Sequence, residues 1–228
     1  MIKIIVATVK SWNKDYYEKF KEKHNYYHLK LIDNPLDLNV DNISTFQPDY
    51  IFFPHWNNII PKEIYEFYNC IVFHMTDLPF GRGGSPLQNL IIRGIKHTKI
   101  SAIKVVSQLD AGDIYLKKDL SLSGRAKDIY IRASKIIFEE MIPYIINHNP
   151  KPIKQIGNPV YFSRRKPSQS ELSGDNITLE KLYDFIRMLD ADGYPNAFLK
   201  SNGLKFTFNK AKLKGQKLIA QVEIEEDK

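Results

Sequence analysis

Short apolar runs alternate with segments of helical periodicity over the first two thirds of the chain. Runs rich in β-branched and aromatic residues predict strands at residues 2–9, 26–32, 49–54 and 70–75. Apolar positions at helical spacing predict helices at residues 15–24, 62–68 and 86–94. Strands that alternate with helices favour a mostly parallel sheet covered on both faces, which is a Rossmann-like α/β fold.

The pattern continues to residue 148 and then changes. Residues 97–110 and 113–122 predict two further strands, and residues 124–148 predict the longest helix. From residue 149 the chain is rich in Pro, Asn, Ser, Lys and Arg, which indicates a linker ahead of a helix at 178–190 and short terminal strands. We therefore expect a main domain over residues 1–150, and a linker with a small α+β appendage over residues 151–228.

Composition places the chain among ordinary globular proteins, with 43% hydrophobic and 26% charged residues. No apolar run approaches the roughly 18 residues that span a bilayer, so we expect a cytoplasmic protein with no membrane partner. The single cysteine, Cys70, cannot form a disulfide within the chain and fits a reducing compartment. The formal net charge of +7 indicates an anionic partner, either nucleic acid or a phosphorylated small molecule.

Several common site motifs are missing from the sequence. The turn after the first predicted strand has neither the glycine pattern of dinucleotide-binding folds nor a P-loop, and there is no G-x-S-x-G turn. The six histidines are scattered without the spacing of a metal site, so we predict no metal. What remains is His74, at the carboxyl end of the fourth predicted strand, and Asp110, at the end of a later one. Ligands of such sheets bind beyond the carboxyl ends of the strands.

A histidine and an aspartate at that edge suit acid–base chemistry. Histidine can accept a proton from an attacking amine near neutral pH, and a nearby carboxylate can favour the protonated ring or hold a water. The glycine-rich stretch between His74 and Pro86 offers backbone N–H groups to an anion. The alternative is that His74 is a buried core histidine and that Asp110 belongs to a structural turn.

The combined pattern resembles the N10-formyltetrahydrofolate-dependent formyltransferases. The segments that carry the resemblance are FPHW (53–56), HMTDLPFGRGGSPLQNLI (74–91), LDAGDIYL (109–116) and IRMLDADGYPNAF (186–198). The nearest likeness is to sugar-nucleotide N-formyltransferases of the pseudaminic-acid-pathway type, and it covers roughly residues 49–212. It implies a catalytic formyltransferase domain over residues 1–150, with His74 and Asp110 as catalytic residues.

One position departs from the family pattern. The family has an asparagine two residues before the histidine, which donates a hydrogen bond to the developing oxyanion, and this chain has Val72 there. Losing such a donor typically costs about 2.7–4 kcal/mol. The donors that remain open as substitutes are the protonated His74, the Trp56 indole, a backbone amide of the 75–76 turn and Gln88.

The resemblance also implies two groups of binding residues. For the formyl donor, N10-formyltetrahydrofolate, they are Trp56, Asn57, Ile59, Ile60, Gln108 and Leu109. For the acceptor they are Met75, Thr76, Arg82, Gly83, Arg164, Arg165 and Tyr194, among which the arginines suit a pyrophosphate.

The function expected from the resemblance is formyl transfer to the amine of a UDP- or dTDP-linked 4-amino-4,6-dideoxy sugar, with His74 as base. The expected partner is that sugar nucleotide rather than a nucleic acid, and a homodimer is left open. One alternative is formylation of methionyl-tRNA or another amine, which the +7 charge suits but which would call for a larger C-terminal RNA-binding domain. Two more are a non-catalytic binding protein and hydrolysis of the formyl donor by water.

Overall fold

The predicted strands and helices form largely where the apolar pattern places them. The computed structural model describes residues 1–173 and 177–227. Its strands are β1 (Lys3–Ala7), β2 (His28–Ile32), β3 (Tyr50–Phe53), β4 (Cys70–His74), β5 (Phe80–Gly83), β6 (His97–Lys104), β7 (Ile114–Ser121), β8 (Val160–Phe162), β9 (Ala197–Ser201), β10 (Leu204–Lys214) and β11 (Lys217–Glu226). Its helices are α1 (Ser11–Lys23), α2 (Val40–Phe46), α3 (Lys62–Tyr65), α4 (Pro86–Ile92), α5 (Ala126–Ile136), α6 (Ile142–His148) and α7 (Leu179–Leu189).

Six strands form the central sheet, in the order β2-β1-β3-β4-β6-β7. Strands β1 to β4 run parallel, whereas β6 pairs with β4 in the antiparallel sense. Ile4, Ile5 and Val6 of β1 are all fully buried, as expected for a parallel strand covered on both faces. The α/β class with a mostly parallel sheet is confirmed.

One face of this sheet carries an apolar cluster, the sheet-face cluster. Its buried members are Ile5, Ala7, Ile32, Leu38, Ile43, Ile51, Phe53, Ile64 and Cys70. Burial raises the pKa of the Cys70 thiol to about 12, so this cysteine is an inert packing residue. Trp56, Val72 and Val105 pack against the cluster from its margin.

The chain divides into two compact units that interleave along the sequence. The first comprises Met1–Arg82, Lys99–Leu120 and Ile131–Tyr161, and it contains β1 to β4 of the central sheet. The second comprises Gly83–Thr98, Ser121–Tyr130 and Phe162–Lys228, and it contains α4, α7 and the three-stranded sheet β11-β10-β9. The predicted boundary at residue 150 stays a prediction. Within the described residues, no helix is both long and apolar enough to cross a membrane.

Candidate active site

His74 ends strand β4 with its imidazole buried and its two nitrogens in different surroundings. Nε2 lies 2.7 Å from the Gly81 carbonyl oxygen, which only accepts hydrogen bonds, so Nε2 carries a proton. In the neutral ring Nδ1 then holds the lone pair. Nδ1 lies 3.5 Å from Asp110 Oδ2, and the two side chains are only 8% and 13% exposed. The atom able to take a proton is thus the one that faces the carboxylate.

The structure brings His74 and Asp110 together by a different route from the one expected. Asp110 was predicted to follow a strand parallel to β4. Instead, β6 is antiparallel to β4, and its last residue, Lys104, pairs with Ile71. The loop after β6 therefore returns toward the carboxyl end of β4, a distance of about 10 Å for three residues of strand. The six residues that follow Lys104, up to Asp110, can span up to roughly 20 Å, which is enough to bring Asp110 back to His74. Asp110 adopts a left-handed conformation (φ 51°) that aspartate tolerates better than most residues.

Gln155 holds this loop in place, although sequence reasoning assigned it to a linker. Its Nε2 donates to the carbonyl oxygens of Asp110 at 2.8 Å and Gly112 at 2.9 Å. Its Oε1 accepts from Arg82 Nε at 3.1 Å and Nη2 at 2.8 Å. One amide thus joins the aspartate loop to the buried arginine of β5.

Arg82, predicted to contact the acceptor, is buried with a guanidinium that has neutral partners. Besides Gln155 it reaches the Tyr161 hydroxyl through Nη1 at 3.4 Å. Among the described residues no carboxylate forms an ion pair with Arg82. A buried cation that is not paired with an anion is costly, which makes this guanidinium a natural contact for an anionic ligand.

Met75 and Thr76, two more predicted acceptor contacts, lie inside the fold. Met75 is buried with its sulfur 3.3 Å from His55 Nε2. Thr76 is fully buried, and its carbonyl oxygen accepts from the Ser101 hydroxyl at 2.7 Å. In this structure both fix the turn that follows His74.

A buried polar cluster holds His55 neutral. Asn13 Nδ2 lies 3.1 Å from His55 Nδ1 and also donates to Thr8 Oγ1 and to the Pro54 carbonyl. Burial, followed by the positive charge of Lys10, lowers the pKa of His55 to about 3. His55 is therefore an uncharged, hydrogen-bonded histidine at neutral pH.

The predicted donor-binding residues occupy two loops at the margin of the sheet-face cluster. Trp56 and Ile60 from the first loop, and Val105 from the start of the second, pack on this same cluster. Ile59 is 91% exposed and Leu109 66% exposed, so each loop presents apolar surface to solvent. Asn57 is exposed, and Gln108 donates to the Tyr161 hydroxyl at 3.2 Å.

These loops fit a pterin-bearing group. Exposed apolar side chains suit a flat heteroaromatic ring, with nearby backbone groups to read its edge. The Trp56 indole Nε1 is buried and finds no hydrogen-bond partner among the residues that the structure describes. Such a donor is rare unless a ligand or water uses it. The residues of the two loops stay predictions as donor contacts.

In the second unit, Gly83 and Gly84 serve the approach of another segment of chain. A Cβ on Gly83 would lie 2.3 Å from the Phe162 carbonyl oxygen, and one on Gly84 would lie 2.5 Å from Cβ of Arg164. The glycine-rich stretch was predicted to bind an anion, but residues 162–164 fill the space beside these two glycines. Their lack of side chains thus has a packing reason.

The remaining predicted acceptor residues also belong to the second unit. Arg165 donates its backbone N–H to Ser85 Oγ and its guanidinium to the Gln169 carbonyl. Arg164 is exposed. Tyr194 stacks on Tyr130 with ring centroids 5.4 Å apart and hydroxyls 3.0 Å apart.

Gln88, one of the possible substitute donors to the oxyanion, already donates its side-chain amide to other groups of the second unit. Its Nε2 donates to the Tyr130 hydroxyl at 3.2 Å and to the Met188 carbonyl at 3.1 Å.

Comparison with known proteins identifies the family. A family model described as Formyl transferase matches residues 13–128, and a second, described as Methionyl-tRNA formyltransferase, C-terminal domain, matches residues 167–225. The chain belongs to the formyl transferase family. This confirms the predicted class of enzyme, the formyltransferases, and the predicted formyl donor, N10-formyltetrahydrofolate, is the one that this family uses.

Individual relatives of this formyl transferase extend the likeness. A solved structure named methionyl-tRNA formyltransferase from Clostridium thermocellum is 54% identical, with a TM-score of 0.97 over 100% of both chains. A methionyl-tRNA formyltransferase of Bacillus velezensis is 29% identical over 175 residues, which are 74% of this chain and 55% of that protein. The chain thus spans about half the length of the curated relatives it matches.

These matches correct two predictions about the acceptor. The relatives bear the name methionyl-tRNA formyltransferase, so the prediction of a sugar-nucleotide acceptor is wrong, and so is the prediction that nucleic acid is not a partner. A sugar N-formyltransferase from Shewanella is 17% identical, with a TM-score of 0.70 over 92% of this chain and 97% of its own. That likeness shows the fold alone, and the pseudaminic-acid-pathway type has no support.

Proposed function

We propose that this chain formylates the amino group of methionyl-tRNA. The observation that carries the proposal is the full-length match, at 54% identity, to the structure named methionyl-tRNA formyltransferase. The C-terminal match over residues 167–225 supports it from a second part of the chain. A net charge of +7 is in keeping with a nucleic-acid acceptor, because RNA binding rests largely on phosphate contacts.

The site supplies the proton transfer that such a reaction needs. When bound, N10-formyltetrahydrofolate supplies the formyl carbon, which bonds to the acceptor nitrogen as its bond to N10 breaks and N10 takes up a proton. His74 Nδ1 accepts the proton of the attacking amine, because Nε2 already donates to Gly81. Asp110, 3.5 Å away, stabilises the imidazolium so formed and fixes the orientation of the ring.

Arg82 supplies a positive charge in the same unit. Its guanidinium is held by neutral groups on Gln155 and Tyr161, so it keeps its charge available for a phosphate near the 3′ end of the acceptor. Burial strengthens such a contact, since the charge is weakly screened by solvent.

The test is formyl transfer from N10-formyltetrahydrofolate to purified methionyl-tRNA, followed by mass spectrometry of the released amino acid. Free methionine and uncharged tRNA serve as controls for the acceptor. Asp110→Asn, which keeps the shape and removes the charge, should lower kcat about 10²- to 10⁴-fold. Transfer to free methionine as fast as to methionyl-tRNA, or none to methionyl-tRNA by a chain that still binds the donor, would overturn the proposal.

A further inference from the structure

Amine attack on a formyl group places negative charge on the carbonyl oxygen. Enzymes meet such charge with hydrogen-bond donors fixed in advance, and the loss of one donor costs about 10²- to 10³-fold in kcat. The residue two positions before His74, on the same side of β4, is Val72, whose side chain cannot donate. The site therefore needs a donor from elsewhere.

Several polar groups near this edge of the sheet already have partners. The Ser101 hydroxyl donates to the Thr76 carbonyl, and the Asn13 amide donates to Thr8 and Pro54. The Trp56 indole N–H differs from these, because it is buried and has no hydrogen-bond partner among the described residues. An indole nitrogen donates and never accepts, so its requirement is for one acceptor oxygen or nitrogen.

The fold places this indole beside the face that carries Val72 and His74. The Trp56 and Phe53 rings meet edge-to-face with centroids 5.9 Å apart. Phe53 is the β3 residue paired with Val72 of β4, and paired residues on adjacent strands share a face. His74 lies two residues further along that same face. Trp56 and Val72 both pack on the sheet-face cluster and both neighbour Phe53, so the indole lies on the side of the sheet where a donor is missing.

We propose that the Trp56 indole N–H donates a hydrogen bond to the carbonyl oxygen of the formyl group during transfer. This inference rests on the proposed formyl transfer but not on the identity of the acceptor. The indole keeps its proton throughout, and its ring remains part of the donor-binding loop. Trp56 is thus a catalytic residue as well as a packing residue.

The first test is kinetic. Trp56→Phe keeps an aromatic ring and removes the N–H, and should lower kcat on the order of 100-fold while the KM for the formyl donor changes less than threefold. Adding Val72→Asn to Trp56→Phe places an amide donor two residues before His74 and should restore at least tenfold. The matched control is Trp12→Phe, which removes the chain's other indole and should keep kcat within twofold. A Trp56→Phe enzyme with unchanged kcat, or with only a raised KM, would contradict the proposal.

The second test needs no acceptor and no turnover. The chain has two tryptophans, so its ¹H–¹⁵N spectrum contains two indole signals, and Trp56→Phe assigns them. Binding of 10-formyl-5,8-dideazafolate should move the Trp56 indole proton downfield, whereas 5,8-dideazafolate without the formyl group should not. Equal shifts with both compounds would mean that the indole contacts the ring system, which refutes the proposal. This outcome is separate from any failure to formylate methionyl-tRNA.

Discussion

Gln155 is expected to stabilise the active-site loop more than a residue of a polar linker would. Gln155→Met keeps the length of the side chain but removes both its donor and its acceptor. The change leaves two N–H groups of the buried Arg82 without their acceptor, and the carbonyls of Asp110 and Gly112 without a donor.

The magnitude follows from these contacts. The two Arg82 groups share one acceptor oxygen, so they count as one charge-assisted interaction, worth about 1.5–3 kcal/mol. The two carbonyls lie beside a half-buried side chain where water can replace the amide, so each adds no more than about 0.5 kcal/mol. Gln155→Met should therefore lower the free energy of unfolding by about 1.5–4 kcal/mol.

Urea denaturation by linear extrapolation measures this change. The matched control is Gln221→Met in β11, where an exposed glutamine accepts a hydrogen bond from Lys210 Nζ at 2.8 Å. This change should cost less than about 0.5 kcal/mol. Gln155→Glu tests the donor of the amide separately from its acceptor. It keeps an acceptor for Arg82 but cannot donate to the Asp110 loop, so kcat should fall about 10- to 100-fold because the aspartate is misplaced.

A Gln155→Met protein as stable as Gln221→Met would refute the reasoning that this amide anchors the loop. Unchanged kcat in Gln155→Glu would show that Asp110 keeps its position without the donated hydrogen bonds.

Three further changes probe other parts of the fold. Gly112→Ala would place a Cβ 1.7 Å from the Lys104 carbonyl oxygen, so its urea midpoint and its kcat should both fall sharply. Burial lowers the pKa of His55 to about 3, from about 6.5 in the unfolded chain. As the pH falls, the unfolded chain takes up the proton first, so the free energy of unfolding is highest above about pH 6.5 and decreases toward about pH 3. In His55→Asn the melting temperature should depend less steeply on pH between 7 and 4, and an unchanged slope would contradict this. Arg187→Met removes a buried guanidinium that donates to the carbonyl oxygens of Leu122 and Gly124 and pairs with Asp184. It should lower the free energy of unfolding in urea by about 2–4 kcal/mol, against little change for an exposed lysine replaced by methionine.

The strands of the first unit were predictable because their pattern has a direct physical cause. β1, β3 and β4 are runs of β-branched and aromatic residues that are buried on both faces, and each lies within one or two residues of its predicted span. The direction of β6 was not predictable in the same way. An apolar strand pattern is the same read in either direction, so it cannot distinguish a parallel neighbour of β4 from an antiparallel one.

The site was predictable in its chemistry and less so in its supports. His74 and Asp110 were singled out because their residue types and their predicted positions at strand ends suit proton transfer, although Asp110 lies in the loop between β6 and β7. Gln155 was missed because it gains its role from Ile153, which pairs with Ile114 across the start of β7 in a bridge with hydrogen bonds of 2.7 and 2.9 Å. A contact between residues so far apart leaves no local pattern. The sequence shows a glycine at position 83, but it does not show that residues 162–164 fill the space beside it.

The acceptor was predicted wrongly for a reason that lies in the chemistry itself. The role predicted for the segments around His74 and Asp110 is to take a proton from an attacking amine, and that step is the same whether the amine belongs to a sugar or to an aminoacyl-tRNA. Residues that serve the shared step therefore cannot encode the acceptor. A net charge of +7 is compatible with RNA and equally with a phosphorylated small molecule, because charge sets attraction without setting shape. Specificity must then come from the surfaces that bind the rest of the acceptor, and it is the similarity over the whole chain, including residues 167–225, that favours methionyl-tRNA.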